Sequence, residues 1–359
     1  MVGTSLTLLL FIDFFVGGYM LPCKNRTHLT FSRCSNEARI AHPIYHHDLS
    51  KNYKGIESWG PLKYSLCTDI NGFKVACNAN DALSKYFDIA FIGDSFTEGI
   101  GLNYEDTFVG QISSKRPELK IANLGVSSYS PSIYFSKVKF LLEQGITFKE
   151  LIVYIDISDI QDEAVNYTIS NGVVISKTVS ESIAPEFFTP LKQFLNWAFP
   201  LTYFGLQTLK AYFSNVSDDK TQKVLYLAAD YDRSAWTYNS SSKGYGSHGV
   251  MGGVQQSLQA MAELSDLLKD NGIKLSVGIY PWPGQLLYDV KDSAQVRIWK
   301  DFCRSRCLNF YNSFDSFFSL KSQMPESKII EQYFIEGDIH HNRLGAEVIA
   351  NDFLKSYRN

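Results

Sequence analysis

Residues 87–94 read FDIAFIGD, and residues 95–99 continue as SFTEG. The first stretch is a short apolar run that ends in Gly-Asp, which is typical of a strand buried on both faces of a parallel sheet. The second stretch places a serine between glycines where a strand would pass into a helix. Together they predict an α/β fold with Ser95 at the carboxyl edge of the sheet, where ligands bind in such folds.

Strand-like and helical patterns alternate along the chain after this stretch. Further strands are predicted at 119–125, 150–156, 273–280 and 308–314. Helices are predicted between and after them at 105–115, 131–142, 252–272, 291–306 and 342–357. Strands separated by helices of this length imply parallel crossovers, so we predict an α/β sheet of about five strands within residues 86–359.

Two segments do not follow the alternation. Residues 164–245 hold an apolar stretch broken by prolines and then a polar stretch, which together predict an insertion. A lid over the site, a membrane-facing surface and additional core are alternatives for this insertion. Residues 23–85 are rich in polar residues and turn formers, so we expect an irregular N-terminal extension packed on the main domain.

The first 22 residues contain an apolar run with Asp13 near its centre. A membrane span needs about 20 apolar residues, and a central charge is costly there. We predict a signal peptide or membrane anchor at 1–22, and therefore an exported or periplasmic protein associated with the membrane through its N-terminus. Lys24 and Arg26 follow the run instead of preceding it, which favours a cytoplasmic body. A buried N-terminal helix is the alternative.

Six cysteines are present, and an even number in an exported chain favours disulfides. Cys67 and Cys77 flank a predicted hairpin with Asn-Gly at its turn, so a bond between them is expected. Cys303 and Cys307 are close enough in sequence to form a local pair. Six free thiols in a cytosolic protein are the alternative.

The composition is that of a globular protein. The chain has 359 residues, of which 45% are hydrophobic and 20% charged, and this excludes a disordered or fibrous protein. Its 34 basic and 37 acidic residues give a formal net charge of -3. Such a near-neutral chain lacks the excess of positive charge that is typical of nucleic-acid-binding proteins, so no nucleic-acid partner is expected.

The chemistry-bearing residues lie at predicted strand ends and near the C-terminus. Ser95 needs a base to act as a nucleophile, although it could instead only cap a helix. Among seven histidines, only His340 and His341 stand in a segment able to close beside the sheet from the far end of the chain. Asp338, two residues before His340, is placed to orient an imidazole, as a catalytic triad requires.

Other polar residues follow the second and third strands. Asn123 and Gly125 end the second strand, and Ser158 follows the third, so we expect these three as oxyanion donors together with the Ser95 N–H. Substrate contacts are expected at Asp94, Trp282 and Gln285, which stand at or beside strand ends.

These blocks together resemble the SGNH hydrolases, also called GDSL esterases. The Gly-Asp-Ser segment, the glycine after the second strand and the terminal Asp-x-His-x-Asn-x-x-Gly box carry the resemblance, over roughly 87–160 and 252–357. It implies a three-layer α/β/α, flavodoxin-like domain and serine-dependent ester chemistry without a metal or another cofactor. It also implies Ser95 as nucleophile, His340 as general base, and the N–H groups of Ser95 and Gly125 as oxyanion hole.

The chain departs from the family pattern at two places. Asp338 stands two residues before His340 instead of three, a spacing similar to that of alginate-type acetyltransferases, and this makes His341 a rival base. Ser158 stands where the family has an asparagine donor. We therefore expect an esterase that removes O-acyl groups from a carbohydrate or small ester. An O-acetyltransferase acting on a cell-envelope polysaccharide and a non-catalytic glycan-binding protein are the alternatives.

Overall fold

The computed structural model describes residues 38–60, 62–79, 84–177 and 233–357. The chain divides into two compact units, and all described residues belong to the unit formed by 38–179 and 227–359. The predicted signal or anchor at 1–22 and the apolar part of the insertion lie outside the described residues. No helix in the described ranges is long and apolar enough to cross a membrane.

The described β-strands fall into a main parallel sheet and smaller antiparallel ones. Their bounds are β1 Arg39–His42, β2 His46–Leu49, β3 Lys54–Trp59, β4 Leu62–Thr68, β5 Lys74–Val75, β6 Tyr86–Ile92, β7 Ile121–Asn123, β8 Thr147–Tyr154, β9 Tyr167–Ser170, β10 Val173–Ser176, β11 Lys274–Ile279 and β12 Phe310–Asn312. The main sheet has the strand order β12-β11-β8-β6-β7, and its strands are all parallel.

This strand order confirms the predicted parallel sheet. Numbered along the chain, the five strands have the order 2-1-3-4-5 reversed, which is the flavodoxin-like arrangement. The order changes direction between β6 and β8, and loops at the carboxyl ends of these two strands form a crevice there. Ile92 of β6 pairs with Val153 of β8, so the segments that begin at Gly93 and Tyr154 leave the sheet side by side.

Helices cover both faces of the sheet. Their bounds are α1 Ser95–Glu98, α2 Phe108–Lys115, α3 Pro131–Glu143, α4 Asp159–Gln161, α5 Gly249–Asp270, α6 Pro283–Tyr288, α7 Ala294–Arg306, α8 Phe314–Ser319, α9 Glu326–Tyr333 and α10 Arg343–Ser356. Successive side chains of a strand point to opposite faces. Ala90 and Ile92 of β6 accordingly pack with α3, α5 and α7, while Ile89 and Phe91 pack with α2 and α10. The predicted three-layer α/β/α sandwich is confirmed.

The N-terminal extension is not irregular over its described part, contrary to expectation. β1 and β2 form an antiparallel hairpin, and β3, β4 and β5 form a three-stranded antiparallel sheet. Exposed and half-buried residues alternate along β3, which is the pattern of a strand with one face on the protein. The first described part of the predicted insertion is likewise ordered, as the hairpin of β9 and β10.

Charged residues in this extension make buried contacts with the α/β core. Lys137 of α3 donates to Asp48 of β2 at 2.8 Å, and both side chains are nearly inaccessible. Arg39 of β1 pairs with the buried Glu98 at the end of α1. Breaking such a pair leaves an uncompensated buried charge, which costs about 3–5 kcal/mol. The extension is therefore an integral part of the described unit.

Two of the expected disulfides are confirmed. Cys67 of β4 is bonded to Cys77, just after β5, and the intervening turn has Gly72 at φ 89°, where a side chain would be strained. Cys303 is bonded to Cys307 at the C-terminal end of α7. Cys23 and Cys34 lie outside the described residues.

Candidate active site

Ser95 is the first residue of α1, at the carboxyl end of β6. Asp94 caps this helix, because its carboxylate accepts a hydrogen bond from the Phe96 N–H at 2.9 Å. The turn requires glycine at position 93: an added Cβ would lie 2.2 Å from Thr97 Oγ1 and 2.7 Å from the Tyr154 carbonyl oxygen. The Gly-Asp-Ser sequence therefore forms this strand-to-helix turn and holds the Ser95 hydroxyl at the switch point of the sheet.

His340 and Asp338 complete a continuous hydrogen-bonded chain with Ser95. The Ser95 hydroxyl lies 2.8 Å from His340 Nε2, across 245 residues of sequence. His340 Nδ1 lies 2.5 Å from Asp338 Oδ1, and the His340 backbone N–H donates to the same oxygen at 2.9 Å. In the Nδ1–H tautomer of His340, Nδ1 donates to Asp338 Oδ1. The unprotonated Nε2 can then accept the proton of the Ser95 hydroxyl.

Asp338 is held from a second direction by the N-terminal sheet. Its Oδ2 accepts a hydrogen bond from the indole N–H of Trp59, at the end of β3, at 2.8 Å. Burial acts to raise the pKa of Asp338, but the hydrogen bonds from His340, together with that from Trp59, lower this pKa below its usual range. The carboxyl group is therefore kept ionised, as an orienting group for His340 needs to be.

His341 points away from Ser95 into an aromatic cluster. Its ring stacks on Phe317 with centroids 5.2 Å apart and contacts Phe334 at 4.6 Å. Burial lowers the pKa of His341 to about 3, so this imidazole is neutral. Of the two rival histidines, the structure thus brings His340 to Ser95 and places His341 in the core.

Three of the expected oxyanion donors, Asn123, Gly125 and Ser158, have hydrogen-bond partners inside the protein, and their role toward an oxyanion stays a prediction. The Gly125 N–H donates to Asn123 Oδ1 at 3.0 Å, and Asn123 Nδ2 donates to the Thr97 carbonyl at 2.8 Å. The Ser158 hydroxyl donates to Asp156 Oδ1 at 2.6 Å. The Asn123 bond holds the loop after β7 against α1. The Ser158 bond braces the loop that follows β8. Buried polar groups need such partners, and sequence spacing does not reveal where they find them.

Neither the N–H of Ser95, the first residue of α1, nor that of Ser128, in the loop after β7, donates to a backbone carbonyl in the loops and turns of the described residues. Ser128 is exposed and has φ 64°, in the left-handed region that rarely suits a residue other than glycine. The N–H of the preceding Ser127 donates to Glu98 Oε2 at 2.8 Å, so this loop lies against α1. Strained backbone of this kind is often found at functional sites.

The residues expected to contact substrate are buried, and that role stays a prediction. Trp282 and Gln285 are 1% and 0% exposed. Trp282 Nε1–H donates to Asp156 Oδ2 at 2.6 Å, and Gln285 accepts from the Trp282 backbone N–H at 3.0 Å. Asp94 is buried as the cap of α1. Polar and aromatic residues after a strand can thus brace the loops instead of facing a ligand.

A buried group of carboxylates lies beneath Ser95. Asp94, Asp156 and Asp159 place one oxygen each within 4.8 Å of one another, close enough to ligate a cation. Burial, and then the Asp156 carboxylate, raises the pKa of Asp94; burial and the Asp94 carboxylate do the same for Asp159. Among the described residues, Asp159 Oδ1 has no hydrogen-bond partner. Protonation of Asp94 and Asp159 relieves the repulsion between like charges.

Sequence reasoning did not single out Trp59, which contacts Asp338, or Ser128. Trp59 is an isolated aromatic residue in a segment that was expected to be irregular, and no local pattern marks its contact with Asp338, 279 residues away. Ser128 follows the Asn-x-Gly pattern of the second loop, but its positive φ is a property of the folded backbone.

The chain has low similarity to several solved structures. No protein-family model matches the chain, and no curated protein matches it. Among solved structures, it is similar to a lipolytic protein of the G-D-S-L family from Veillonella parvula, with 11% identity and a TM-score of 0.39. That match covers 75% of this chain and 97% of the other.

Two further solved structures show the same level of similarity. An acetylxylan esterase from Geobacillus stearothermophilus, Axe2, is 12% identical with a TM-score of 0.39, over 74% of this chain and 92% of the other. LAE5, described as an alpha/beta hydrolase from the metagenome of Lake Arreo, is 14% identical with a TM-score of 0.36, over 74% and 93%.

Proposed function

We propose that this protein is a serine-dependent ester hydrolase with Ser95 as nucleophile, His340 as general base and Asp338 as orienting group. The observation that carries the proposal is the hydrogen-bonded chain from Ser95 Oγ through both ring nitrogens of His340 to Asp338. A nucleophile, a base within hydrogen-bond reach and a third group that orients the base are the elements of a triad.

The first half of the reaction transfers the acyl group to Ser95. Its Oγ forms a bond to the ester carbonyl carbon, and the hydroxyl proton passes to His340 Nε2. The carbonyl oxygen becomes negatively charged in the resulting tetrahedral intermediate. When the bond to the alcohol breaks, His340 returns this proton to the leaving oxygen, so that an alcohol and an acyl-Ser95 ester result. Asp338 stabilises the imidazolium that exists between the two steps.

The backbone N–H groups of Ser95 and Ser128 are the proposed oxyanion donors. Ser95 is the first residue of α1, and Ser127, which precedes Ser128, donates its N–H to Glu98 of the same helix. One such donor typically contributes about 3–4 kcal/mol to the stability of the transition state. The side chains of Asn123 and Ser158 support the neighbouring loops in this scheme and do not contact the oxyanion.

The second half of the reaction decides between hydrolase and transferase. In hydrolysis, His340 takes a proton from water, whose oxygen attacks the acyl-Ser95 carbonyl, and the carboxylic acid leaves as Ser95 recovers its proton. In transfer, a sugar hydroxyl takes the place of water. The Asp-x-His spacing at 338–340, which resembles that of alginate-type acetyltransferases, supports an O-acetyltransferase as second candidate.

The proposed substrate is a short O-acyl ester, such as an acetylated carbohydrate, and the proposed compartment is an exported one. Two disulfides within the described residues favour an oxidising environment. The predicted signal or anchor at 1–22 and the lid within 164–245 belong to the same proposal, with the membrane contact made through residues 1–22.

The test is intact-mass analysis of the purified full-length chain after incubation with a fluorophosphonate, with Ser95→Ala as its matched control. We expect one adduct on the wild-type chain and none on Ser95→Ala. Acetylated cello-oligosaccharide then serves as substrate, with and without an unacetylated acceptor. Free acetate as the main product supports a hydrolase, and acetylated acceptor supports a transferase.

Absence of an adduct on folded protein, together with absence of acetate release, contradicts the esterase and the transferase alike. Binding of the cello-oligosaccharide by that inactive chain would then support the glycan-binding alternative. An adduct that persists on Ser95→Ala would show that the reactive nucleophile is a different residue.

A further inference from the structure

The Asp338 carboxylate has one oxygen for His340 and one for Trp59. Oδ1 accepts both the ring and the backbone N–H of His340, while Oδ2 accepts the Trp59 indole N–H at 2.8 Å. A carboxylate held at both oxygens cannot rotate about its Cβ–Cγ bond without losing a charge-assisted hydrogen bond. Trp59 therefore restricts the plane in which Asp338 meets the imidazole.

The Trp59 ring also touches the imidazole itself. Its ring and that of His340 are edge to face, with centroids 5.3 Å apart and an interplanar angle of 86°. Phe96 packs against the same imidazole, with centroids 4.5 Å apart. Two aromatic rings and one carboxylate thus surround His340, and the tryptophan acts on both the base and its orienting group.

The position of Trp59 is set by a sheet that is anchored beside α1. Trp59 pairs with Leu62 across the β3–β4 hairpin. Lys74 of β5, in the same sheet, is almost fully buried and donates to the Gly99 and Leu102 carbonyls at 2.9 and 2.8 Å. These carbonyls belong to the loop that follows the nucleophile helix. The sheet therefore has fixed contacts near both Ser95 and Asp338.

We propose that Trp59 is a positioning residue of the triad, which orients Asp338 and through it the His340 ring for proton transfer from Ser95. The inference rests on the proposed serine chemistry. It assigns the antiparallel sheet of residues 54–75 a part in catalysis, because this sheet supplies an oriented donor that the α/β domain does not supply to Asp338 Oδ2. A misoriented base slows chemistry more than it weakens ground-state binding.

The activity test compares two substitutions of the same kind. Trp59→Phe keeps an aromatic ring and removes the indole N–H. Trp236→Phe is the matched control, because Trp236 is also half-buried and its N–H donates to a backbone carbonyl, that of Ile157, at 3.2 Å. With 4-nitrophenyl acetate, we expect Trp59→Phe to lower kcat about tenfold with KM within about twofold, the lower end of the effect typical of groups that orient a functional histidine. We expect Trp236→Phe to leave kcat within about twofold.

A spectroscopic measurement tests the contact without using activity. In ¹H–¹⁵N spectra of the full chain, Asp338→Asn should move the Trp59 indole signal and leave that of Trp236 in place. Loss of each signal in the corresponding Phe variant assigns it. If the chemical shift of the Trp59 indole signal is unchanged in Asp338→Asn, the proposed hydrogen bond is wrong. This result does not depend on whether Trp59→Phe folds well.

The remaining outcomes separate this inference from the proposed function. An unchanged kcat in folded Trp59→Phe, with an active wild-type chain, overturns the positioning role alone. A rise of KM with kcat unchanged also overturns it and makes Trp59 a substrate contact. A wild-type chain that turns over no ester and forms no fluorophosphonate adduct overturns the function, and the catalytic role of Trp59 with it, whatever the spectra show of the contact.

Discussion

Asp338 and Asp94 both lie next to the Ser95–His340 pair, but their surroundings act on them in opposite ways. Asp94 Oδ2 is 3.3 Å from the Ser95 hydroxyl, and Asp338 Oδ1 is 2.5 Å from His340 Nδ1. Burial acts to raise the pKa of both. The hydrogen bonds from His340 and Trp59 outweigh burial at Asp338 and lower its pKa, whereas the carboxylate of Asp156 adds to burial at Asp94 and raises its pKa further.

The difference shows that the pKa values of two aspartates beside the same Ser95–His340 pair are set by their hydrogen-bond donors and neighbouring charges, and not by residue type. Oriented N–H groups surround Asp338, and these favour the ionised form. Asp94 shares its buried region with Asp156 and Asp159, and like charges favour protonated forms. We therefore assign the charged, orienting role to Asp338 and a structural role to the buried group beneath Ser95.

The largest expected effect comes from removing the nucleophile or the base. Ser95→Ala and His340→Ala should each lower kcat/KM by roughly 10⁴–10⁶-fold, since a triad loses most of its rate advantage with either member. Thermal unfolding should stay cooperative in both variants. Steady-state hydrolysis of 4-nitrophenyl acetate measures the effect, and Asp94→Asn is the matched comparison. Equal losses of kcat/KM in Asp94→Asn and His340→Ala would contradict the structural role assigned to Asp94.

Asp338→Asn should have the next largest effect, a fall in kcat of about 10³–10⁴-fold, because an amide favours the wrong imidazole tautomer. The kinetic constants of the purified variant measure this. A loss of less than about tenfold would mean that Asp338 does not orient His340, and the two carboxylates would then not differ in function.

A stability measurement tests the opposite pKa shifts directly. Asp159 has a raised folded-state pKa, so its contribution to stability is present below its unfolded pKa near 4 and is lost as pH rises through the folded value. Asp159→Asn should therefore raise Tm relative to wild type at pH 8, by about a few degrees, and much less at pH 4. Thermal unfolding at the two pH values measures the difference.

Asp338→Asn is the control with the opposite sign. The folded-state pKa of Asp338 is lowered, so its contribution is present above the unfolded pKa and is lost as pH falls through the folded value. This variant should lose Tm relative to wild type at pH 8 and nearly as much at pH 4, because both pH values lie above the unfolded pKa of about 3.9. Shifts of the same sign in the two Asp→Asn variants would contradict the contrast between the two environments.

The smallest effect on activity is expected at His341. His341→Phe keeps the stacking on Phe317 and removes an imidazole whose Nε2 has no hydrogen-bond partner within the described ranges. The kcat for 4-nitrophenyl acetate should stay within about threefold of wild type. A loss comparable with that of His340→Ala would assign the base to the wrong histidine.

Much of this site could be predicted where the signal is local in sequence. The run at 87–94 predicts a buried strand, and Ser95 follows it where the chain turns into α1. The Asp-x-His-x-Asn-x-x-Gly spacing predicted that Asp338 and His340 act together. The donors Asn123, Ser158 and Trp282 could not be judged in this way, because their hydrogen-bond partners are distant or depend on loop conformation.

The sequence by itself determined the parallel sheet, the two local disulfides and the serine at the edge of the sheet, since apolar periodicity and turn residues act over a few neighbouring positions. Only the tertiary structure decided between His340 and His341, because which of two adjacent rings meets Ser95 depends on how the terminal segment packs. It also brought Trp59 to Asp338, a contact that forms only when the N-terminal sheet packs beside the α/β core.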